Sequence, residues 1–183
     1  MSDVTFFEKA LIPMISKNLF EISKLSPERF KDKAVLNIGA GGTNLAENLD
    51  KAGIDPKSVT NIDIGYDPNR KSFLWKLVGK LSRDNFPPQA VRADWDHIPF
   101  GPESFDVSVM SYSGPHYMEG DSLVTMVTEA MRVTKHTIFI VSIGTYEGRL
   151  EILKTLAEKN NFSLLDLGNS EFELNRKTEP KLD

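Results

Sequence analysis

Residues 35–49, VLNIGAGGTNLAENL, pass from an apolar run through a glycine-rich turn into a segment with helical spacing. Val35, Leu36 and Ile38 suit a strand buried on both faces, whereas Leu45 and Leu49, four apart, suit one face of a helix. Between them Gly39, Gly41 and Gly42 let the backbone turn sharply and approach a ligand with no side chain in the way. The stretch therefore reads as strand, elbow and helix. SVTNIDIGY (58–66) follows as a second buried strand, after a helix closed by Gly53. This completes a β-α-β unit, and such units place ligands outside the carboxyl ends of their strands.

The same alternation continues to the end of the chain. A helix over 69–83 places Phe73, Leu74, Leu77, Val78 and Leu81 on one face, and AVRAD (90–94) and FDVSVMSY (105–112) read as strands. SLVTMVTEAMRV (122–133) is a helix, TIFIVSI (137–143) a strand, and GRLEILKTLAEKN (148–160) a helix. FSLLDL (162–167) and EFELNR (171–176) end the series as two strands close enough to form a hairpin at one edge. The expected architecture is an α/β sandwich of three layers, with a mostly parallel sheet of seven strands covered on both faces. Ahead of it, Val4, Phe7, Leu11, Ile15, Leu19 and Ile22 have amphipathic helical spacing, with Pro13 as a kink. SPERF starts a further short helix, with Ser26 as N-cap and Pro27 at its first position.

The bulk properties narrow the class. A chain of 183 residues with 40% hydrophobic and 26% charged residues fits one globular domain. A net charge of −4 gives no general attraction to nucleic acid or anionic lipid. The absence of cysteine excludes disulfides, thiolate metal sites and a cysteine nucleophile. The first twenty residues lack the pattern of a signal peptide, and no apolar stretch has the length of a membrane span, so a cytoplasmic protein is expected.

The elbow alone admits several ligands. A dinucleotide turn of the G-x-G-x-x-G type needs glycine at its sixth position, where this chain has Asn44, and a phosphate loop of the Walker type needs a lysine that is absent. Neighbouring segments are more specific. Asp63, at the end of the second strand, is placed to accept hydrogen bonds from both hydroxyls of a ribose. Asp94 offers an acceptor for an exocyclic amine and Trp95 an indole to cover a purine face; taken singly, they also suit a turn cap and a core aromatic.

These segments together resemble the class I S-adenosylmethionine-dependent methyltransferases, in particular the small type 11 domains. In that family the elbow reads like VLDIGCGTG, the next strand like VxGVDxS, the third-strand loop like GDAExLPFxDxSFDVV and a later helix like ExxRVLKPGG. This chain has VLNIGAGGT, VTNIDIGYDP, RADWDHIPFGPESFDVSV and EAMRVTKHT in the same order. The resemblance implies a Rossmann-like core over 34–175 and a helical N-terminal cap over 1–32, the whole chain being one domain. It also implies S-adenosyl-L-methionine as cofactor. By position, Asn37, Gly39, Ala40 and Gly41 would lie at its amino acid part, Asp63 at its ribose, Asp94 and Trp95 at its adenine, and Ser111 near its methionine portion or methyl group, with Ile64 a further cofactor-binding residue. Two residues depart from the pattern: Asn37 replaces the usual acid, and Thr43 the third glycine. Asn37 keeps a carbonyl acceptor but lacks the charge that favours an ammonium group. TKHT stands where the family has its Lys-Pro-Gly-Gly turn, a change expected to shorten that loop.

Transfer of a methyl group needs the acceptor held in line with it, so positioning and desolvation supply much of the rate. SYSGPHYM (111–118) offers His116 as a base for a hydroxyl acceptor, with Tyr112 and Tyr117 as wall or hydrogen-bonding residues. This loop lacks the [ND]-P-P-[YFW] tetrapeptide with which family members hold a planar amino nitrogen of a base or glutamine, which argues against that nucleic-acid route; the four ordered motifs lead to the expectation of a small-molecule acceptor with an O or N nucleophile. DWDH (94–97) contains possible metal ligands, but they are too close in sequence to converge unaided. Arg70, Lys71, Lys76, Lys80 and Arg83 give the helix over 69–83 a basic face suited to an anionic substrate or partner, or simply to water. Phe6, Phe7, Met14 and Phe20 suit an apolar lid or a plain core role. A methyltransferase-like fold serving as a binding or scaffold protein, and a nicotinamide-dependent oxidoreductase, remain the competing readings.

Overall fold

The computed structural model describes residues 19–40, 45–55, 59–63, 90–111, 119–141 and 148–178. Short helix α1 (Leu19–Ile22) and a single 3-10 turn (Pro27–Phe30) precede β1 (Val35–Ile38), α2 (Leu45–Lys51), β2 (Val59–Asp63) and β3 (Ala90–Arg92). Then come β4 (Phe105–Ser111), α3 (Gly120–Val133), β5 (Thr134–Val141), α4 (Arg149–Lys159), β6 (Phe162–Gly168) and β7 (Glu171–Arg176). The seven strands form one sheet in the order β3-β2-β1-β4-β5-β7-β6. The first five strands pair in parallel, whereas β7 runs antiparallel to both β5 and β6. The fold is thus the expected Rossmann-like α/β architecture with an antiparallel edge hairpin.

Strand alternation divides the core in two. Leu36 and Ile38 point to one face, where they meet Leu123, Met126 and Val127 of α3 and Leu153 of α4. Val35 points to the other, with Leu45 and Leu49 of α2 and Leu19, Leu25 and Phe30 of the N-terminal segment. Both faces are covered, which explains why β1 is buried at every position. Helix α2 ends at Gly53, whose φ of +78° lies in the left-handed region, and Ile54 N–H closes the end by donating to Leu49 O at 2.7 Å.

Three local expectations are adjusted. The SPERF segment is a 3-10 turn with Pro27 early in it, but the Ser26 side chain makes no capping hydrogen bond. TKHT is not a loop: α3 passes directly into β5, so these residues begin the strand. Thr134 makes the join by donating its hydroxyl hydrogen to Ala130 O at 2.6 Å, and an extra residue on β5 between Thr134 and Thr137, opposite Phe105 and Val107 of β4, absorbs the change in register. Phe20 belongs to the core side of the N-terminal segment, its ring 5.7 Å from that of Phe30. The N-terminal helix before Leu19, the basic helix over 69–83 and Trp75 lie outside the described residues. Among the described residues, no helix is long and apolar enough to cross a membrane.

Candidate functional site

Strand order reverses between β1 and β4, so the polypeptide leaves these two neighbours on opposite sides. The carboxyl ends of parallel strands at such a point flank a natural crevice. Gly39 ends β1 with φ +66°, a conformation in which a side chain would be strained. Ala40 N–H donates to Ile62 O at 3.0 Å, holding the elbow against the end of β2. Because Ile38 is level with Ile62, Asp63 lies one step further on, beside that elbow. Asp63 is also level with Arg92 at the end of β3.

Beyond Arg92 the chain makes a tight turn, with His97 N–H donating to Asp94 O at 3.3 Å. Asp94 Oδ1 is buried and receives no hydrogen bond among the described residues. Such an acceptor fits a donor brought by a ligand, since buried polar atoms are ordinarily paired. Trp95 is half-buried and packs at the edge of the Leu36 and Ile38 core, which leaves part of its indole uncovered. Asp96 and His97 are exposed, whereas Ile98 is buried. Ser111, buried at the end of β4, is level with Val141 on β5.

Asn37 differs in setting from the other candidates. It is fully buried, and its Nδ2 donates to Oδ1 of Asn61, its register partner on β2, at 2.9 Å. Asn61 Nδ2 is buried without an acceptor among the described residues. Asn61 was not singled out from the sequence, although the shared pattern V-x-N-I in VLNI (35–38) and VTNI (59–62) marks two asparagines at equivalent places. Gly41, Ile64, Tyr112 and His116 fall outside the described residues.

The turn after β3 is also held from α3, again by residues with no role assigned from sequence. Glu129 and Arg132 form a two-point pair at 2.8 Å, Nε to Oε1 and Nη2 to Oε2. Arg132 also donates to Phe100 O at 2.8 Å and Ile98 O at 2.9 Å, while Glu129 Oε2 accepts from Ile98 N–H at 3.2 Å. The Arg132 hydrogen bond holds the Glu129 carboxyl below its ordinary range, against the raising effect of burial, with help from Ile98 N–H and the charges of Arg132 and His97. The same bond raises the already high Arg132 value. An E-x-x-R spacing on one helical face was the available signal.

Asp63, Asp94, the elbow and Ser111 thus come from the ends of four adjacent strands. Two carboxylates, a close-approach backbone and a partly uncovered indole suit a ligand that combines hydroxyls, an amino-bearing aromatic ring and a polar tail.

Comparison with known proteins accords with this geometry. The sequence profile of a family described as a methyltransferase domain matches residues 35–137, more than half of the chain. Comparison with curated proteins finds no match. Among solved structures, 1,6-didemethyltoxoflavin-N1-methyltransferase from Burkholderia thailandensis, with bound 1,6-didemethyltoxoflavin and S-adenosylhomocysteine, superimposes with a TM-score of 0.59 at 13% identity. That match covers 97% of this chain and 87% of the other. Magnesium protoporphyrin IX methyltransferase from Synechocystis PCC 6803, with bound S-adenosylmethionine, gives 0.58 at 14% identity, over 94% and 81%. A TehB-like S-adenosylmethionine-dependent methyltransferase from Corynebacterium glutamicum gives 0.56 at 16% identity, over 93% and 97%.

Proposed function

The chain belongs to the methyltransferase domain family, and we propose that it transfers a methyl group from S-adenosyl-L-methionine to an oxygen or nitrogen atom of a small molecule. The observation that carries this reading is the Asp94 acceptor left unfilled among the described residues, buried beside the carboxyl ends of the strands that bring Asp63 and the Gly39 elbow. A ribose on Asp63 and an adenine between Asp94 and Trp95 would use each of these groups. The methionine tail would then run along Gly39, Ala40 and Gly41 toward Ser111. The similar proteins with small-molecule names support an acceptor of that size.

When bound, the cofactor would supply a methyl group on a sulfonium centre, activated for transfer to the lone pair of an acceptor. The residues of this chain have a modest task beside that chemistry. They hold the donor, exclude water and orient the acceptor. His116 and Tyr112, in the segment that leaves β4 after Ser111, are the proposed acceptor-side groups, with His116 taking the proton of a hydroxyl acceptor. The segment 69–83, with its five basic residues, is a proposed contact for an anionic acceptor.

One observation favours a second reading. Asn37, at the position where the family carries an acid, is engaged by Asn61, so the chain has a neutral amide pair there. This would suit a domain that binds the cofactor without turnover. The test is release of S-adenosylhomocysteine during incubation with O- and N-nucleophile panels, comparing wild type with His116→Gln. Turnover by wild type that falls at least tenfold in the variant supports catalysis with His116 as base. Cofactor binding with no turnover on any panel supports the second reading.

A further inference from the structure

Helix α3 lies two elements after the turn that carries Asp94, yet its last turn reaches back to that loop. From one guanidinium, Arg132 spans Glu129 on its own helix and two carbonyls, Ile98 O and Phe100 O, on the loop. Glu129 answers with its carboxylate on Ile98 N–H, and Arg132 O accepts from Glu103 N–H at 2.9 Å. Two further contacts seat the same loop: the Phe100 ring meets that of Phe105 edge-on at 4.9 Å, and Ile98 is buried in the core.

This arrangement exceeds what an exposed helical pair contributes. An i,i+3 ion pair on a helix surface contributes little and holds nothing beyond its own helix. Here the Arg132 side chain is 34% exposed and that of Glu129 18%. The planar fork satisfies two carbonyls, and the Glu129 carboxylate one N–H, of a loop with no regular structure of its own beyond Arg92. Lysine cannot replace it, since an ammonium cannot grip Glu129 at two points and reach both carbonyls.

We infer that Glu129 and Arg132 are positioning residues for the adenine side of the cofactor site, setting the place of Asp94 and Trp95 through the backbone of Ile98 and Phe100. This rests on the reading above that Asp94 meets the adenine. The pair touches neither cofactor nor acceptor. It acts by limiting the conformations of residues 94–100 before the ligand arrives, which reduces the ordering required on binding.

The test uses the full chain carrying Trp75→Phe, so that Trp95 is its one remaining tryptophan. Arg132→Lys and Glu129→Gln are compared with this parent by Trp95 emission and acrylamide quenching without ligand, by thermal melting, and by calorimetry with S-adenosylhomocysteine. The expected result is a red-shifted, more readily quenched Trp95 and roughly tenfold weaker binding in each variant, as for loss of a charge-assisted hydrogen bond. The same substitutions are then made on Asp94→Ala. If the pair acts through Asp94, Arg132→Lys weakens binding much less there than in the parent. A lower melting temperature with unchanged Trp95 emission and unchanged affinity means ordinary structural support and overturns the inference. So does an equal loss of affinity with and without Asp94. If the parent protein itself fails to bind S-adenosylhomocysteine, the cofactor reading falls, and the inference with it; binding by the parent that both variants retain removes the inference alone.

Discussion

Asn37 and Asn61 face each other across the parallel pair β1 and β2, joined by a 2.9 Å side-chain hydrogen bond beneath the Gly39 elbow. Both are fully buried. The bond holds the Asn37 amide toward β2 and leaves the Asn61 Nδ2 donor without an acceptor among the described residues. An acid at position 37 would receive that donor and offer a negative charge to a ligand ammonium.

Asn37→Asp should therefore shift the balance between ligand binding and stability. A carboxylate at this buried place is desolvated, which destabilises the ligand-free protein by roughly 3 kcal/mol or more. Burial raises the folded-state pKa of such a group, so this penalty is small below the unfolded-state value of about 3.9 and grows as pH rises through it. Affinity for S-adenosylhomocysteine should rise at neutral pH. Urea denaturation of variant and wild type at pH 4 and pH 7, with and without ligand, measures both effects; a destabilisation relative to wild type that is equal at both pH values contradicts the account of position 37.

Asp94→Ala should separate binding from folding. Its Oδ1 receives no hydrogen bond among the described residues, so removing it takes little from the ligand-free fold. Losing a hydrogen bond from a charged acceptor weakens ligand binding by roughly tenfold to a hundredfold. Melting within a few degrees of wild type together with that loss is the expected pair of results. A large drop in melting temperature would instead assign Asp94 to the framework of its turn.

The lowered carboxyl of Glu129 predicts a pH dependence. Its ordinary value is 4.5, and the Arg132 hydrogen bond is the largest cause of the shift. A carboxyl lowered in the folded state contributes stability above its unfolded-state value and loses it as pH falls through the folded one. The stability difference between wild type and Glu129→Gln should be complete at pH 7 and shrink below about pH 4.5. A difference that stays constant from pH 7 to pH 3 would show that ionisation of Glu129 plays no part.

The N-terminal segment is secured at the far side of the sheet by charge. Arg29 pairs with Glu173 on β7 and stacks 5.0 Å from the Phe139 ring centre, while Lys24 N–H donates to Glu171 Oε2 at 2.8 Å. The Glu173 side chain is only 5% exposed. Arg29→Ala leaves that carboxylate buried with Asn175 as its remaining donor among the described residues, at 2.9 Å. The expected loss is about 1–3 kcal/mol in urea denaturation, partly recovered when Glu173→Gln is added. If the double variant is no more stable than Arg29→Ala, the buried charge is not the source of the loss.

Period and spacing carried most of the fold. Strands such as VLNI and FDVSVMS are continuously apolar enough to require cover on both faces, and the closeness of FSLLDL to EFELNR left a hairpin as the simple connection. The join at Val133 and Thr134 was less legible, because TKHT reads as a polar loop. Its place in β5 depends on the Thr134 hydroxyl reaching back to Ala130 and on an extra residue in β5 where it pairs with β4, facts of partners rather than of local spacing. The candidate site divides similarly. Gly39, Asp63 and Asp94 are marked by their places at strand ends, whereas Asn61 and Arg132 act through partners 24 and 32 or more residues away, a relationship that local spacing does not display.

Titration of the wild-type protein with S-adenosylhomocysteine by calorimetry, beside Asp63→Ala and Asp94→Ala, tests the central claim most directly. The account predicts saturable one-to-one binding by wild type and a marked loss in both variants, with each protein folded by circular dichroism. Absence of binding by folded wild type, or binding that both variants retain in full, would contradict it.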